Sequence, residues 1–353
     1  MLDTDTLLMK RAIELARRGA GLVSPNPLVG AFLINDGRVV GEGYHLYENI
    51  RHAESYAIEA AGALAKGATL YSNLEPCCHQ GRTPPCTDAL IKAKIARAVV
   101  AVKDPNPNVN GRGIERLREA GIEVEVGVLE ERALRLNESY FKYITRGEPF
   151  LYAVIEYPAG PSAFAAQWRP STEFLQTIPE FDAVMIGDGH ELNMLVVEEA
   201  RGRESHRPLV VVASDPGPQL LKFLERLDVS VLHLESESGS DPATKDADRK
   251  VVNLDEGTAH GVLRSRIEVA KAALARMNVT SLLILPGALD LSDPANFEEL
   301  DKATLVVPGS ATEQQQALHW TLGDIEFDFE PVIVTEADGF AEVTGYPSSR
   351  EVA

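Results

Sequence analysis

The chain has 353 residues, 44% hydrophobic and 25% charged, and contains no run of about 18 apolar residues that would cross a membrane. Residues 1–150 contain 19 basic and 19 acidic side chains, so the remaining 15 basic and 34 acidic side chains carry the whole net charge of −19. We therefore expect no nucleic-acid or membrane partner, because nucleic-acid binding depends on basic patches that release counterions.

The first half of the chain predicts strands and helices around one sheet. Helical spacing of apolar residues over 4–19 precedes two strands, 28–34 and 38–43, which the Asp36-Gly37 step joins as a hairpin. The elements expected next are a helix at 53–65, a strand at 68–72, a helix after Cys86, a strand at 98–102, a helix at 113–120, a strand at 123–127 and a helix at 129–144. This order predicts a mixed or parallel sheet flanked by helices.

A domain boundary is expected where Gly147 and Pro149 stop the last of these helices, so residues 1–148 and 149–353 form the two predicted domains. The second domain is predicted to be α/β as well. Its expected strands are 151–156, 183–187, 209–213, 230–234, 281–285 and 304–307, with helices at 219–226 and 265–277. The polar and acidic stretch 235–250 is expected to be a surface loop.

All three cysteines fall within the ten residues from Cys77 to Cys86. This distribution is typical of a metal site and not of disulfides that join distant segments. The first residues carry neither the basic nor the apolar region of a secretory signal. We therefore expect a reducing compartment and a cytoplasmic protein.

Three side chains in this region form a candidate metal centre. His52, Cys77 and Cys86 offer one imidazole and two thiolates, which suit tetrahedral Zn²⁺ with a fourth position open for water. Zinc lowers the pKa of such a water toward about 7. Glu54, two residues after His52, is free to act as a general base and then a general acid. The H-x-E and Pro-Cys pattern resembles that of base deaminases.

A structural zinc site is the alternative interpretation, and it needs a fourth protein ligand. Cys78 and His79 are the nearby candidates. Adjacent residues such as Cys77 and Cys78 rarely bind one tetrahedral ion together, so we interpret the site as catalytic and Cys78 as a small packing residue.

Six short motifs carry a resemblance to a known family: PNPLVG (25–30), GEGYH (41–45), HAE (52–54), LEPC (74–77), GRTPPC (81–86) and DPNP (104–107). On these motifs the first 150 residues resemble the bifunctional riboflavin-biosynthesis enzymes, in which a pyrimidine deaminase is fused to a 5-amino-6-(5-phosphoribosylamino)uracil reductase. Eight residues separate Cys77 from Cys86, as in this family, whereas cytidine and tRNA-adenosine deaminases usually close the zinc site with Cys-x-x-Cys.

The resemblance implies a cytidine-deaminase-like mixed sheet followed by a dihydrofolate-reductase-like α/β domain, with Zn²⁺ as cofactor and a homo-oligomeric assembly. The implied substrate is a phosphoribosylaminopyrimidine, 2,5-diamino-6-(5-phosphoribosylamino)pyrimidin-4(3H)-one, which loses its C2 amino group as ammonia. An arginine and a protonatable histidine suit its phosphate, and Asn and Asp suit its ring edges. The positions that match the family's substrate contacts are Asn26, His45, His79, Arg82, Asp104 and Asn106.

The second half departs from the family at three functional segments. A strand with Lys and Ser-Leu-Asp-Gly is replaced by LYAVIEYPAG (151–160), an Asp-x-Pro-x-Leu-Thr-x-Arg segment by LNMLVVE (192–198), and a Glu-Gly-Gly turn by LPGA (285–288). The FDAVMIG strand (181–187) keeps the family pattern. NADPH and a sugar phosphate need positive charge, and this half carries −19. We therefore expect a reductase fold with lost or weakened reduction, which retains a role in assembly or stability and binds NADPH only if it is functional.

Three different functions stay open at this point. The first is a complete bifunctional enzyme whose NADPH-binding residues are not identified by these motifs. The second is a nucleoside or tRNA deaminase, which the cysteine spacing and the lack of a basic surface disfavour. The third is a non-catalytic, zinc-stabilised subunit whose acidic half docks a partner.

Overall fold

A computed structural model of the chain contains two compact units, Met1–Gly147 and Glu148–Ala353. The predicted boundary lies one residue further along. No described helix is long and apolar enough to cross a membrane. The structure describes residues 4–47, 51–156, 170–187, 191–200, 209–212, 222–224, 226, 229–235, 249–253, 266–288, 294–308, 319–322, 325–337 and 340–349.

In the described part of the first unit, five strands form one mixed sheet in the order β2-β1-β3-β4-β5. Strand β1 runs antiparallel to β2 and β3, whereas β4 runs parallel to β3 and β5. The β1–β2 turn places Asp36 at φ 49° and Gly37 at φ 72°, the positive angles that an Asp-Gly hairpin turn favours. The strands are β1 (Gly30–Asn35), β2 (Arg38–Tyr44), β3 (Thr69–Leu74), β4 (Arg97–Val102) and β5 (Glu123–Val126).

Helices cover both faces of this sheet, because successive strand residues point to opposite sides. Leu33 packs with α2, α3 and α4 on one face, and Phe32 packs with α1 and α5 on the other. The predicted helix-flanked mixed sheet is therefore confirmed. The helices are α1 (Thr4–Arg17), α2 (Ala53–Ala61), α3 (Cys86–Ala93), α4 (Arg112–Glu119), α5 (Glu130–Leu136) and α6 (Glu138–Arg146).

Two predicted helices of the first unit are wrong in extent. The helix expected at 53–65 ends at Ala61 because Gly62 has φ 53° and ψ −127°, and a 3-10 turn follows. The single helix expected at 129–144 is two helices, α5 and α6, separated at Asn137. Asn137 has φ −113° and ψ 21°, and its side-chain amide binds the backbone of Leu28 instead of facing solvent.

Ten strands form one sheet in the described part of the second unit, in the order β10-β9-β8-β7-β11-β6-β12-β15-β14-β13. The pairs from β10 to β12 are parallel, and those from β12 to β13 are antiparallel. The strands are β6 (Phe150–Glu156), β7 (Ala183–Ile186), β8 (Leu209–Val212), β9 (Val231–Glu235), β10 (Arg249–Asn253), β11 (Ser281–Ile284), β12 (Lys302–Pro308), β13 (His319–Leu322), β14 (Ile325–Ala337) and β15 (Phe340–Ser349).

Two apolar clusters cover the two faces of this sheet. Leu151 and Ala153 of β6 face one cluster, and Phe150, Tyr152 and Val154 face the other. The second α/β domain is thereby confirmed. Helices in its described part include α7 (Thr172–Thr177), α8 (Glu191–Ala200), α9 (Arg266–Arg276) and α10 (Pro294–Phe297).

The six strands expected in the second domain are present as β6, β7, β8, β9, β11 and β12. Strands β10 and β13 to β15 and helices α7, α8 and α10 were not predicted. The expected loop at 235–250 is wrong at both ends, where β9 and β10 include Glu235 and Arg249; residues 236–248 lie outside the described residues. So do residues 157–160, and residues 219–221 and 225 of the helix expected at 219–226.

Candidate metal centre and active site

The three predicted metal ligands converge at the ends of three elements. His52 is the N-cap residue of α2, Cys77 follows β3, and Cys86 is the first residue of α3. Their ligand atoms all lie within 4.8 Å of one another. His52 Nδ1 is 3.1 Å from Cys86 Sγ and 3.3 Å from Cys77 Sγ. Residues 34 positions apart in the chain thus form one compact group of donors.

This group fits a zinc ion. Bonds of about 2.0 to 2.3 Å place the ligands of a tetrahedral zinc roughly 3.5 to 3.8 Å apart, close to the separations found here. A hydrogen bond from Cys86 holds the pKa of the Cys77 thiol well below its usual range, which favours the thiolate that zinc binds. The contact with Cys77 raises the pKa of His52 to about 9, so a metal ion displaces a proton when it binds.

The surroundings of this group leave room for a non-protein ligand. Among the residues that the structure describes, no fourth His, Cys, Asp or Glu joins it. Cys78 is half-buried, and its thiol faces the carbonyl oxygen of Asn108 at 3.7 Å. A fourth protein ligand, which a structural zinc site requires, is thus not found in the described part of the chain.

Glu54 lies in the first turn of α2, two residues from His52, and is only 3% exposed. Its Oε2 has no hydrogen-bond partner among the described residues. Burial raises the pKa of Glu54, although the neighbouring His52 opposes this shift. A buried carboxylate with an unused oxygen beside a metal centre is suited to accept and release protons.

A pocket of about 440 Å³ opens onto this centre. His52, Glu54 and Cys77 line it, so the metal centre and the candidate base share one cavity. The pocket also brings together all the residues that the sequence assigned to substrate: Asn26, His45, His79, Arg82, Asp104 and Asn106.

His45 is buried and contacts another pocket residue. Its Nε2 is 3.2 Å from Asn26 Nδ2, and its Nδ1 is 3.1 Å from the carbonyl oxygen of Arg51. Burial lowers the pKa of His45, which favours a neutral ring that donates to Arg51 and accepts from Asn26. His45 therefore orients the Asn26 amide, and His79 is the exposed histidine of the pocket.

Two exposed cationic or protonatable side chains, His79 and Arg82, line the same pocket. The guanidinium of Arg82 lies over the ring of Tyr47, 5.8 Å from its centroid. Both residues belong to the segment between Cys77 and Cys86, so the two thiols and these side chains share one loop. An exposed arginine and histidine at one pocket suit a phosphate group.

Asp104 and Asn106 lie on the loop after β4. Asp104 Oδ1 accepts hydrogen bonds from the backbone N–H of Asn106 at 2.9 Å and from the hydroxyl of Tyr140 at 3.0 Å. Asn106 Oδ1 in turn accepts from the N–H of Asn108 at 2.9 Å. Burial raises the pKa of Asp104.

Glu75 supports this loop and was not assigned a role from the sequence. Its buried carboxylate accepts backbone hydrogen bonds at Oε1 from Gly113 and Ile114, at 2.8 and 3.2 Å. Its Oε2 accepts from Asp104 and Gly111, at 3.2 and 2.8 Å. The carboxylate thus ties the loop of Asp104 to the first turn of α4. The sequence signal was an acidic residue directly after a buried strand.

Two asparagines hold the segment that carries Asn26. Asn137 accepts from the N–H of Leu28 at 2.8 Å and donates to its carbonyl oxygen at 2.9 Å. Asn73 donates to the same oxygen at 2.9 Å and accepts from the N–H of Gly30 at 2.8 Å. The backbone two residues after Asn26 is therefore bound from both sides.

One family model matches the part of the chain that carries this site. Residues 2–102 match the family model of the cytidine and deoxycytidylate deaminase zinc-binding region. His52, Glu54, Cys77 and Cys86 all fall within the match. The predicted resemblance of this part of the chain to zinc-binding deaminases is therefore confirmed.

Two curated relatives are named for riboflavin biosynthesis. The chain is 54% identical over 149 residues to the riboflavin biosynthesis protein RibD of Aquifex aeolicus, covering 42% of each chain. It is 42% identical over 217 residues to the riboflavin biosynthesis protein PYRD, chloroplastic, of Zea mays, covering 59% of this chain and 54% of that one. The chain therefore spans about half the length of the curated relatives it matches, and the predicted resemblance to this group is confirmed.

The fold of the whole chain also matches solved structures. A diaminohydroxyphosphoribosylaminopyrimidine deaminase/5-amino-6-(5-phosphoribosylamino)uracil reductase from Thermotoga maritima matches with a TM-score of 0.71 and 27% identity over 98% of this chain and 99% of that one. Form 1 of Acinetobacter baumannii RibD matches in fold with a TM-score of 0.70 and 24% identity, at the same coverage. The predicted two-domain α/β fold is confirmed.

Proposed function

We propose that the chain is a zinc-dependent pyrimidine deaminase of riboflavin biosynthesis. Its proposed reaction converts 2,5-diamino-6-(5-phosphoribosylamino)pyrimidin-4(3H)-one and water into 5-amino-6-(5-phosphoribosylamino)uracil and ammonia. The observation that carries the proposal is the buried Glu54 carboxylate, whose Oε2 lacks a partner among the described residues, in one pocket with His52 and Cys77. The names of the similar proteins supply the substrate class.

His52, Cys77 and Cys86 are the residues that would hold zinc. When bound, zinc supplies a Lewis acid that lowers the pKa of water toward about 7. Glu54 accepts a proton from the attacking water and delivers it to the adjacent ring nitrogen. The C2–O bond forms as this proton moves. Glu54 then takes the proton of the new C2 hydroxyl and passes it to the amine, so that the C2–N bond breaks, the C2 carbonyl forms and ammonia leaves.

The remaining pocket residues divide into two chemical groups. Arg82 and His79 are exposed and suit the phosphate of the substrate. Asn26, Asp104 and Asn106 offer amide and carboxylate groups that suit the N–H and C=O groups of a pyrimidinone ring. We propose these five side chains, with His45 orienting Asn26, as the substrate-binding set.

We further propose that the second unit no longer reduces the product. The support is the replacement of three family segments and the net charge of −19 in this half. A fully bifunctional enzyme is the second candidate, because the fold match to the Thermotoga maritima deaminase/reductase covers 98% of the chain. In that case NADPH would bind the second unit and the ribosyl product would be reduced to the ribityl compound.

One assay separates these candidates. The purified full-length chain, with its zinc content measured, is incubated with the proposed substrate while ammonia release and then NADPH absorbance are followed. We expect ammonia release without NADPH consumption. Ammonia followed by NADPH consumption would establish the bifunctional enzyme, and a zinc-loaded chain that releases no ammonia would refute the deaminase.

A nucleoside or tRNA deaminase and a non-catalytic subunit each predict a distinct result in this assay. Faster turnover of cytidine or a tRNA adenosine than of the phosphorylated pyrimidine would establish a nucleoside or tRNA deaminase. A zinc-stabilised subunit without activity would release no ammonia from any of these substrates. The absence of nucleic-acid and membrane partners, the homo-oligomer and the cytoplasmic location stay predictions.

A further inference from the structure

Helix α6 forms one wall of the pocket, a role that the sequence did not suggest. Tyr140, Tyr143 and Ile144 line the pocket and recur at the spacing of one helix face. Tyr140 is only 7% exposed. Its position next to the loop after β4 brings it to Asp104, 36 residues away in the sequence.

The two oxygens of the Asp104 carboxylate differ in their hydrogen bonds. Oδ1 accepts the Tyr140 hydroxyl at 3.0 Å and the Asn106 N–H at 2.9 Å. No described residue donates a hydrogen bond to Oδ2. Burial raises the pKa of Tyr140, which keeps its hydroxyl protonated and able to donate.

The backbone of Asp104 is held as well. Its N–H donates to Glu75 Oε2 at 3.2 Å, and Glu75 is itself bound by the first turn of α4. Because the main chain is anchored, the Asp104 carboxylate can move only by rotation about the side-chain bonds. The Tyr140 hydroxyl and the Asn106 N–H both bind Oδ1 and so restrict that rotation.

We propose that Tyr140 is a positioning residue that turns the Asp104 carboxylate so that Oδ2 accepts an N–H of the substrate ring. An ionised carboxylate only accepts hydrogen bonds, so a site built in this way selects a ring that presents N–H donors, as a 2-aminopyrimidin-4-one does. Tyr140 acts through Asp104 and touches no reacting atom in this role. The inference rests on the proposed deaminase function.

The test is the variant Tyr140→Phe, which removes the hydroxyl and keeps the ring. The matched control is Tyr71→Phe, because Tyr71 is also buried and its hydroxyl donates to another carboxylate, Asp5, outside the pocket. With the proposed pyrimidine substrate, we expect Tyr140→Phe to raise KM by roughly five- to tenfold with kcat within about twofold, because the binding hydrogen bond is weakened. Tyr71→Phe is expected to leave KM unchanged at a comparable loss of stability.

A double-mutant cycle with Asp104→Asn decides whether the effect passes through Asp104. We expect Tyr140→Phe to leave KM unchanged in the Asp104→Asn background. An unchanged KM in the Tyr140→Phe single variant, or the same KM increase in both backgrounds, would overturn the inference while leaving the deaminase intact. If the wild-type chain, loaded with zinc, neither releases ammonia nor binds the uracil product in calorimetry, the proposed function fails and this inference falls with it.

Discussion

Both units bury glutamate side chains, and the carboxylates of Glu342 in the second unit and Glu54 in the first have opposite surroundings. Glu342 on β15 is 2% exposed and accepts from the Ser171 N–H at 2.7 Å, the Ser171 hydroxyl and the Thr335 hydroxyl at 2.9 Å. Glu54 in the first unit is 3% exposed, and its Oε2 has no partner among the described residues.

This contrast is the one expected between a structural carboxylate and a carboxylate that acts on a ligand. Burying an ionised group is costly unless hydrogen bonds replace those lost from water. Glu342 meets this requirement and ties β15 to the residue that caps α7. Glu54 does not meet it at Oε2, and it faces the pocket with the metal ligands. A carboxylate that transfers protons needs an oxygen that is not already hydrogen-bonded to the protein, so that this oxygen can contact the substrate.

The largest expected effect is on activity, and it comes from Glu54→Gln. The amide keeps the shape of the side chain but cannot carry a proton, so we expect kcat for ammonia release to fall by about 10² to 10⁴. Zinc content, measured by elemental analysis, and the unfolding free energy are expected to stay as in the wild type. The control is Glu59→Gln on the same helix, whose exposed ion pair with Arg51 contributes little.

This comparison would break if Glu54→Gln kept its activity or lost its zinc. Retained activity would remove Glu54 from the proton transfers and leave its burial unexplained. Lost zinc together with lost stability would mean that Glu54 supports the fold in the way that Glu342 does.

Stability is the quantity expected to change most at Glu342. We expect Glu342→Ala to lower the unfolding free energy by about 2 to 3 kcal/mol, because it leaves the buried Ser171 N–H without this acceptor. Glu342→Gln is expected to cost only about 1 kcal/mol, since its amide oxygen can serve the N–H while the hydroxyls of Ser171 and Thr335 accept from its NH₂. Denaturant unfolding measures both values, and ammonia release should not change. Equal losses in the two variants would contradict this account of the carboxylate.

A smaller effect on stability is expected at Asn137, whose amide binds the backbone of Leu28 near the pocket residue Asn26. Asn137→Ala leaves the Leu28 N–H without its acceptor, so we expect a loss of about 1 to 2 kcal/mol in unfolding free energy. We also expect KM to rise by roughly fivefold, because Asn26 loses its fixed position. Asn35→Ala is the matched control, since Asn35 binds the backbone of Leu64 and Lys66 outside the pocket. A KM increase in the control equal to that of Asn137→Ala would rule out a specific effect.

The smallest expected effect concerns a carboxylate that is paired with a cation. The Arg97 guanidinium binds Asp5 at 2.7 Å and holds the pKa of Asp5 below its usual 3.8. The Asp5–Arg97 ion pair therefore makes its full contribution to the free energy of unfolding above pH 3.8. This contribution is lost as the pH falls through the pKa of Asp5 in the folded state. We expect Asp5→Asn to cost about 1 kcal/mol at pH 7. Unfolding measured in the wild type and the variant should show this difference shrink in acid, and a constant difference would contradict it.

The candidate site was predictable to the extent that its chemistry is local. His52 and Glu54 are two residues apart, and Cys77 and Cys86 border one loop, so residue type and spacing indicated a zinc deaminase. The hairpin at Asp36-Gly37 was predictable for the same reason, because the turn depends on its own two residues. Strands β13 to β15 were not predicted, since their place in the sheet depends on partners such as β12.

The break between α5 and α6 shows the same limit. The apolar spacing of 129–144 continues through Asn137 as one helix would, but the amide of Asn137 binds Leu28, 109 residues away. Glu75 shows this limit as well. In the sequence it is an acidic residue after a predicted strand, and nothing near it indicates the four backbone N–H groups that donate to its carboxylate.

The sequence by itself determined the candidate donor set, the candidate proton carrier and the two-domain α/β class, because ligand chemistry and the periodicity of strands and helices depend on neighbouring residues. Only the tertiary structure decided which residues hold those groups in place. It paired Tyr140 with Asp104, Asn137 with Leu28 and Glu342 with Ser171, contacts that join residues 36, 109 and 171 positions apart. The physical reason is that a buried polar group takes whichever partner the folded chain brings within about 3 Å, and no local pattern records that partner.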